Sequence, residues 1–151
     1  MQTVLFLCTG NTCRSPMAEC MFTSLCRERS LLFTSRSAGI YAHEGSPASE
    51  GAFIAMKERG LSLSLHSARP LTKVLVQESR LIMAMTPEHA ALCRQRFPDA
   101  PVRSFSPPIP DPFGGSAAAY QAAAAAIEAQ LILLLDELTI HSQNNRAPAR
   151  Q

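Results

Sequence analysis

Cys8 and Arg14 bracket five residues in the segment Cys8-Thr9-Gly10-Asn11-Thr12-Cys13-Arg14-Ser15-Pro16. Spacing alone says little in a chain this rich in Cys and Arg; the surroundings say more. An apolar run, Thr3 to Leu7, ends just before the segment, and Ser15-Pro16 reads as a helix start. Gly10 and Asn11 tolerate the positive φ that a tight anion-cradling turn requires. A loop of backbone N–H groups that runs into a helix N-terminus is a site for an anion. A cysteine at the head of such a loop is in a setting that favours thiolate, the nucleophilic form. An arginine at its end can lay two N–H groups on two oxygens of a tetrahedral dianion, as lysine cannot. The chemistry implied is attack of sulfur on bound phosphorus. The competing reading of Cys8 is a small buried hydrophobe at a strand end.

Phosphoryl transfer also needs an acid to protonate the leaving atom. The chain has three aspartates, Asp99, Asp111 and Asp136. Asp136 falls among leucines in a helical segment, and Asp99 sits in a turn between Pro98 and Pro101. Asp111 lies in Pro107-Pro108-Ile109-Pro110-Asp111-Pro112-Phe113-Gly114-Gly115. Six prolines between 98 and 112 stiffen this stretch, and such a loop can hold a carboxyl over a site. A turn-forming Asp beside Pro explains Asp111 equally well at this point.

These residues need a scaffold. Thr3–Leu7, Leu32–Ser35, Leu81–Met85 and, more weakly, Pro101–Phe105 read as strands. Ser15-Pro16, Ser46-Pro47 and Thr86-Pro87 pair a capping hydroxyl with a proline suited to the first helical position, and Ser116 caps a fourth helix. In that last helix Tyr120, Ala124, Ile127, Leu131, Leu134 and Leu138 form one apolar stripe, which predicts a core-facing helix. Alternating strands and helices predict an α/β fold: a small doubly wound sheet of four parallel strands with helices on both faces. Ligands on such sheets sit beyond the carboxyl ends of the strands, which is where the Cys8 loop falls.

The 151 residues suit one domain, expected over 1–141 and followed by a polar tail over 142–151. A 46% hydrophobic, 17% charged composition excludes a disordered chain. Net charge of +2 gives no support for nucleic-acid binding. No membrane span is expected, because the apolar run after Gln130 stops at Asp136, and the N-terminus lacks the basic region of a signal peptide. Five cysteines without a secreted framework point to reduced thiols and a cytoplasmic location. The histidines share no ligand-like spacing, so no metal site is predicted and no cofactor is called for.

The stretch Cys8 to Glu19 resembles the signature of the low-molecular-weight protein tyrosine phosphatases. Asp111-Pro112 is similar to that family's acid motif, and Arg36-Ser37-Ala38-Gly39 and His66-Ser67-Ala68-Arg69 resemble family segments in the expected order. The likeness runs from Val4 to Leu138. Within the family, Thr12 and the single aromatic Phe113 before two glycines resemble the bacterial protein-arginine phosphatases; tyrosine-directed members usually carry an aliphatic residue at the first position and often two aromatics at the second. The resemblance implies that Cys8 is the nucleophile and forms a cysteinyl-phosphate. It implies that Arg14 and the loop Thr9, Gly10, Asn11, Thr12, Cys13 and Ser15 hold the phosphoryl oxygens, and that Ser15 hydrogen-bonds the sulfur. Asp111 would be acid and then base; Asn11, Ser37 and His66 would brace the loop; Thr12 and Phe113 would line the substrate wall. The implied partner is a phosphorylated protein, with the chain a monomer or weak dimer.

A phosphoarginine substrate is favoured over phosphotyrosine because a threonine wall is more polar and offers a hydroxyl to a guanidinium. Cys13 is a candidate redox partner for Cys8, with buried filler as the alternative. Cys20, Cys26 and Cys93 read as packing residues. A thiol-coupled arsenate reductase is a rival, but it needs downstream cysteines to relay a disulfide, and after Cys26 there is only Cys93. A non-catalytic phosphate-binding module is the other rival; it has no use for both a thiolate and an acid.

Overall fold

The computed structural model describes residues 1–146. Its elements run β1 (Gln2–Cys8), α1 (Arg14–Glu28), β2 (Phe33–Gly39), α2 (Glu50–Glu58), α3 (Lys73–Glu78), β3 (Ser79–Ala84), α4 (Pro87–Arg96), β4 (Val102–Ser104) and α5 (Ala117–Arg146). The four strands form one all-parallel sheet in the order β2-β1-β3-β4. Chain progression reverses direction across β1, so the crevice at the end of β1 is the switch point of a doubly wound sheet.

β1 is covered on both faces, which is why it reads as a continuous apolar run. Val4, Phe6 and Cys8 turn toward α1, α2 and α5, in a core that includes Phe22, Met56, Ile127 and Leu131. Leu5 and Leu7 turn the other way, into a second core with Ile82, Leu75, Ala90 and Cys93. Cys8 thus ends the strand on the α1 side, next to Gly39 in register on β2.

The stripe Tyr120–Leu138 of α5 is buried as predicted. By length and composition alone α5 could cross a membrane, but this stripe packs into the first core. The helix continues to Arg146, into the segment expected as a polar tail; the remainder of that tail, 147–151, lies outside the described residues.

Thr86 caps α4 by accepting from the His89 amide, and Ser116 accepts from Ala119 at the start of α5. Two helix starts differ from expectation. α2 begins at Glu50 with Ser49 as its cap, not at Ser46-Pro47. α1 begins at Arg14, and Ser15 does not cap it, because its hydroxyl is engaged elsewhere. β2 extends past Ser35 through the polar Arg36-Ser37 to Gly39. As an edge strand it buries only part of its residues, so polar positions fit. The short α3 carried too few residues to show a helical period.

Candidate active site

The loop between β1 and α1 curls through one left-handed residue. That residue is Asn11, at φ 57°; Gly10, also expected to serve there, is not among the positive-φ residues. Asn11 is fully buried and works with every polar atom of its side chain and carbonyl. Its Nδ2 donates to Ser15 Oγ at 2.8 Å, its Oδ1 accepts from the Arg69 amide at 3.0 Å, and its carbonyl accepts from His66 Nε2 at 2.6 Å.

Three further carbonyls of the loop are held from outside as well. Cys8 O accepts from the Ile40 amide, Thr9 O from Tyr41 and Thr12 O from Ser49, at 2.8–3.0 Å. A peptide whose carbonyl points away from the loop centre points an N–H toward it. Among the described residues, the amides of Thr9 through Cys13 have no acceptor. The N-terminus of α1 has no side-chain cap either. The result is a ring of free donors at a helix N-terminus, an anion cradle held from outside.

Three side chains converge on it. Cys8 Sγ sits 2.9 Å from Ser15 Oγ, and both are buried. The Arg14 side chain is buried; Nη1 donates to Ile109 O at 3.0 Å, and Nη2 lies 3.6 Å from Asp111 Oδ2. Its buried Nε has no partner among the described residues, an open donor of the kind that costs free energy unless a ligand fills it. Asp111 is half exposed, with Oδ1 accepting from the Phe113 amide at 3.0 Å. A cavity of about 210 Å³ is lined by Cys8, Thr9, Gly10, Thr12, Cys13, Arg14, Asp111 and Phe113. Larger hollows elsewhere lack this convergence of sulfur, guanidinium and carboxyl.

Asp111 is held by its neighbours. Ile109 donates its amide to Met85 O while its carbonyl holds Arg14. Gln130 of α5 accepts from the Ser106 amide and donates to Pro107 O. The proline-rich segment is therefore fastened to α5 and to the residue after β3 just ahead of its carboxylate.

One residue expected to brace the loop does not reach it. Ser37 Oγ donates to Glu19 Oε1 at 2.7 Å, so it ties β2 to α1 rather than to the loop. Cys13 Sγ faces Ser49 Oγ at 3.3 Å and Tyr120 Oη at 3.5 Å. Burial, and then the Cys13 neighbour, push the Tyr120 phenol above its ordinary range. Of the packing cysteines, Cys26 and Cys93 are buried, and Cys20 is half-buried with its thiol on Ser62 O. Gly39 makes room for the loop: a Cβ there would stand 2.6 Å from Thr9 O and 2.9 Å from Asn11 N.

One residue at the site had no signal in the sequence. His89, in the first turn of α4, is buried with Nε2 2.8 Å from Thr9 Oγ1 and Nδ1 3.0 Å from Thr86 Oγ1. Only the return of β3 beside β1 brings it there.

The chain is similar to known proteins along nearly its whole length. The family model for low molecular weight phosphotyrosine protein phosphatase matches residues 3–144. A protein-arginine-phosphatase of Geobacillus stearothermophilus is 36% identical over 145 residues, covering 89% of this chain and 95% of the relative. The low molecular weight protein-tyrosine-phosphatase Ptp of Acinetobacter johnsonii is 33% identical over 118 residues, covering 74% and 80%. Among solved structures, a cysteine-to-serine mutant of the YwlE arginine phosphatase, with its active-site serine phosphorylated, superposes with a TM-score of 0.88 at 33% identity, covering 91% of this chain and 96% of that one.

Proposed function

The chain belongs to the low molecular weight phosphotyrosine protein phosphatase family, and we propose that it acts on phosphoarginine residues of proteins. It is a cysteine-dependent, metal-independent protein phosphatase. The observation that carries the mechanism is the convergence of Cys8, Arg14 and Asp111 on one cavity whose floor is a ring of unpaired amides.

In this reading the phosphoryl oxygens occupy the amide ring and the open edge of Arg14, with phosphorus in line with the Cys8 thiolate. Sulfur attacks and an S–P bond forms as the bond to the leaving nitrogen breaks. Asp111, protonated, gives that nitrogen its proton. Asp111, now a carboxylate, takes a proton from water as the water attacks the cysteinyl-phosphate. Orthophosphate forms, and the sulfur leaves as thiolate, stabilised by Ser15. Arg14 and the amides hold the charge that develops on the equatorial oxygens. The phosphorylated serine at the active site of the YwlE mutant supports a covalent phosphoryl-enzyme at the equivalent of this strand end.

Two features support arginine. Thr12 brings a hydroxyl to the cavity wall, where a guanidinium has N–H groups to offer. Phe113 is 74% exposed and is followed by Gly114 at φ +73°, so the far wall presents one open aromatic face rather than a slot for a phenol. The tyrosine-directed relatives favour the second reading, phosphotyrosine. Peptides carrying phosphoarginine or phosphotyrosine, assayed at equal concentration, separate the two. Wild type is expected to prefer phosphoarginine and Thr12→Ile to shift toward phosphotyrosine. A wild-type preference for phosphotyrosine that Thr12→Ile leaves unchanged removes the arginine reading.

Cys13 and Cys8 line the same cavity, which supports a reversible disulfide between them under oxidation. After peroxide, dithiothreitol is expected to restore wild type far better than Cys13→Ser; equal recovery disposes of the pairing.

A further inference from the structure

We propose that His89 is a positioning residue for the reaction: anchored by Thr86, it fixes the Thr9 hydroxyl as a hydrogen-bond donor to the bound phosphoryl group. The inference rests on the reading that the cavity beside Cys8 takes a phosphoryl group.

Thr9 follows the candidate nucleophile, and its residue is exposed on the cavity that Cys8, Arg14 and Asp111 also line. A threonine hydroxyl in an open loop ordinarily rotates freely and offers a ligand either a proton or a lone pair. Here it is held. Its Oγ1 lies 2.8 Å from His89 Nε2, and His89 is buried with its other nitrogen 3.0 Å from Thr86 Oγ1. Thr86 is itself fixed, because the same oxygen caps α4 by accepting the His89 amide at 3.3 Å. The Thr9 carbonyl is pinned separately by the Tyr41 amide.

The direction of this chain follows from charge. Burial, and then the Arg14 cation, lower His89 from its ordinary 6.5 to about 4; Glu88 and Asp111 act weakly the other way. The ring is neutral at pH 7, so one nitrogen donates and the other accepts. A dianion beyond Thr9 repels a lone pair and attracts a proton. That orients every dipole toward the anion: Thr86 O–H to Nδ1, Nε2–H to Thr9 Oγ1, Thr9 O–H to a phosphoryl oxygen. Hydrogen bonds aligned head to tail strengthen one another.

This assignment makes Thr9 and His89 a unit that reads the phosphoryl group and not the leaving group. Thr9→Val removes the hydroxyl at nearly constant shape; His89→Leu removes the anchor; His89→Gln keeps an N–H at the Nε2 position. Each variant is assayed with para-nitrophenyl phosphate and for competitive inhibition by orthophosphate, which has no leaving group. Thr9→Val and His89→Leu are expected to lower kcat/KM and weaken orthophosphate inhibition by roughly tenfold to a hundredfold, the range for one hydrogen bond to a charged group. The double variant should lose no more than the worse single, and His89→Gln should recover most of the loss. Unchanged orthophosphate inhibition in Thr9→Val overturns the proposal, as does a double variant whose losses multiply. If His89→Leu does not fold, Thr9→Val decides alone, since that side chain is on the surface. Cys8→Ser serves as the control: hydrolysis that survives in it defeats the catalytic reading itself, whatever the Thr9 and His89 variants do.

Discussion

Ser15 Oγ stands between two partners, 2.9 Å from the Cys8 sulfur and 2.8 Å from Asn11 Nδ2. The amide can only donate, so it occupies a lone pair of the hydroxyl and leaves the hydroxyl proton for the sulfur. In the proposed mechanism that proton stabilises a thiolate both before attack and when sulfur departs from the phosphoryl intermediate. Ser15→Ala should therefore slow breakdown of the intermediate, by roughly tenfold to a hundredfold in kcat. Rapid mixing with para-nitrophenyl phosphate would show a burst of nitrophenol followed by a slow steady state. An unchanged kcat would show that the hydroxyl gives the sulfur nothing.

Asp111 is fixed above the cavity through Ile109, Arg14 and the Phe113 amide. General acid catalysis contributes about 10²- to 10⁴-fold. Asp111→Asn should reach that loss on phosphopeptides whose leaving group needs a proton, with a smaller loss on an aryl phosphate bearing a good leaving group. Comparing kcat/KM on the two substrate types checks this; equal losses would argue for a binding role only.

Gly39 lies in register with Cys8, where an added Cβ would meet the backbone of Thr9 and Asn11 inside 3.0 Å. Backbone atoms cannot rotate aside, so Gly39→Ala must push the cradle off its braces. Overpacking of this kind costs about 1–3 kcal/mol. A lowered Tm with a disproportionate loss of orthophosphate affinity is expected. A variant of wild-type stability and affinity would mean that the loop yields easily.

The lowered His89 links stability to pH. The unfolded chain takes up this proton near the ordinary 6.5, the folded chain only near 4. Between those values the unfolded state holds more protons, so this contribution is complete above pH 6.5 and is lost as pH falls toward 4. Across that window the Tm of wild type should fall more steeply than that of His89→Gln. Parallel curves would contradict the link.

Local chemistry made several parts of this molecule legible. β1 and the stripe of α5 announce themselves because burial selects their residues directly. The caps at Thr86 and Ser116 follow from hydroxyls beside helix starts. Ser15 misled for a physical reason: the same hydroxyl that could cap α1 is drawn to the sulfur instead. Ser37 could be tied to the site only by resemblance, and the structure puts its bond on Glu19. His89 was illegible because nothing within its own segment refers to Thr9, eighty residues earlier. Contacts of that range exist only after the sheet has closed.

The placement of β1 has one more consequence. Both of its neighbours, β2 and β3, come later in the chain, and so do the residues that pin its loop, among them His66, Arg69, His89 and Ile109. In a nascent chain Ile40, Tyr41 and Ser49 can brace the loop early, but the groups that hold Asn11, the Thr9 hydroxyl and Arg14 follow only with His66, Arg69, His89 and Ile109. Reactivity should switch on late and abruptly, once the chain past the acid segment has emerged.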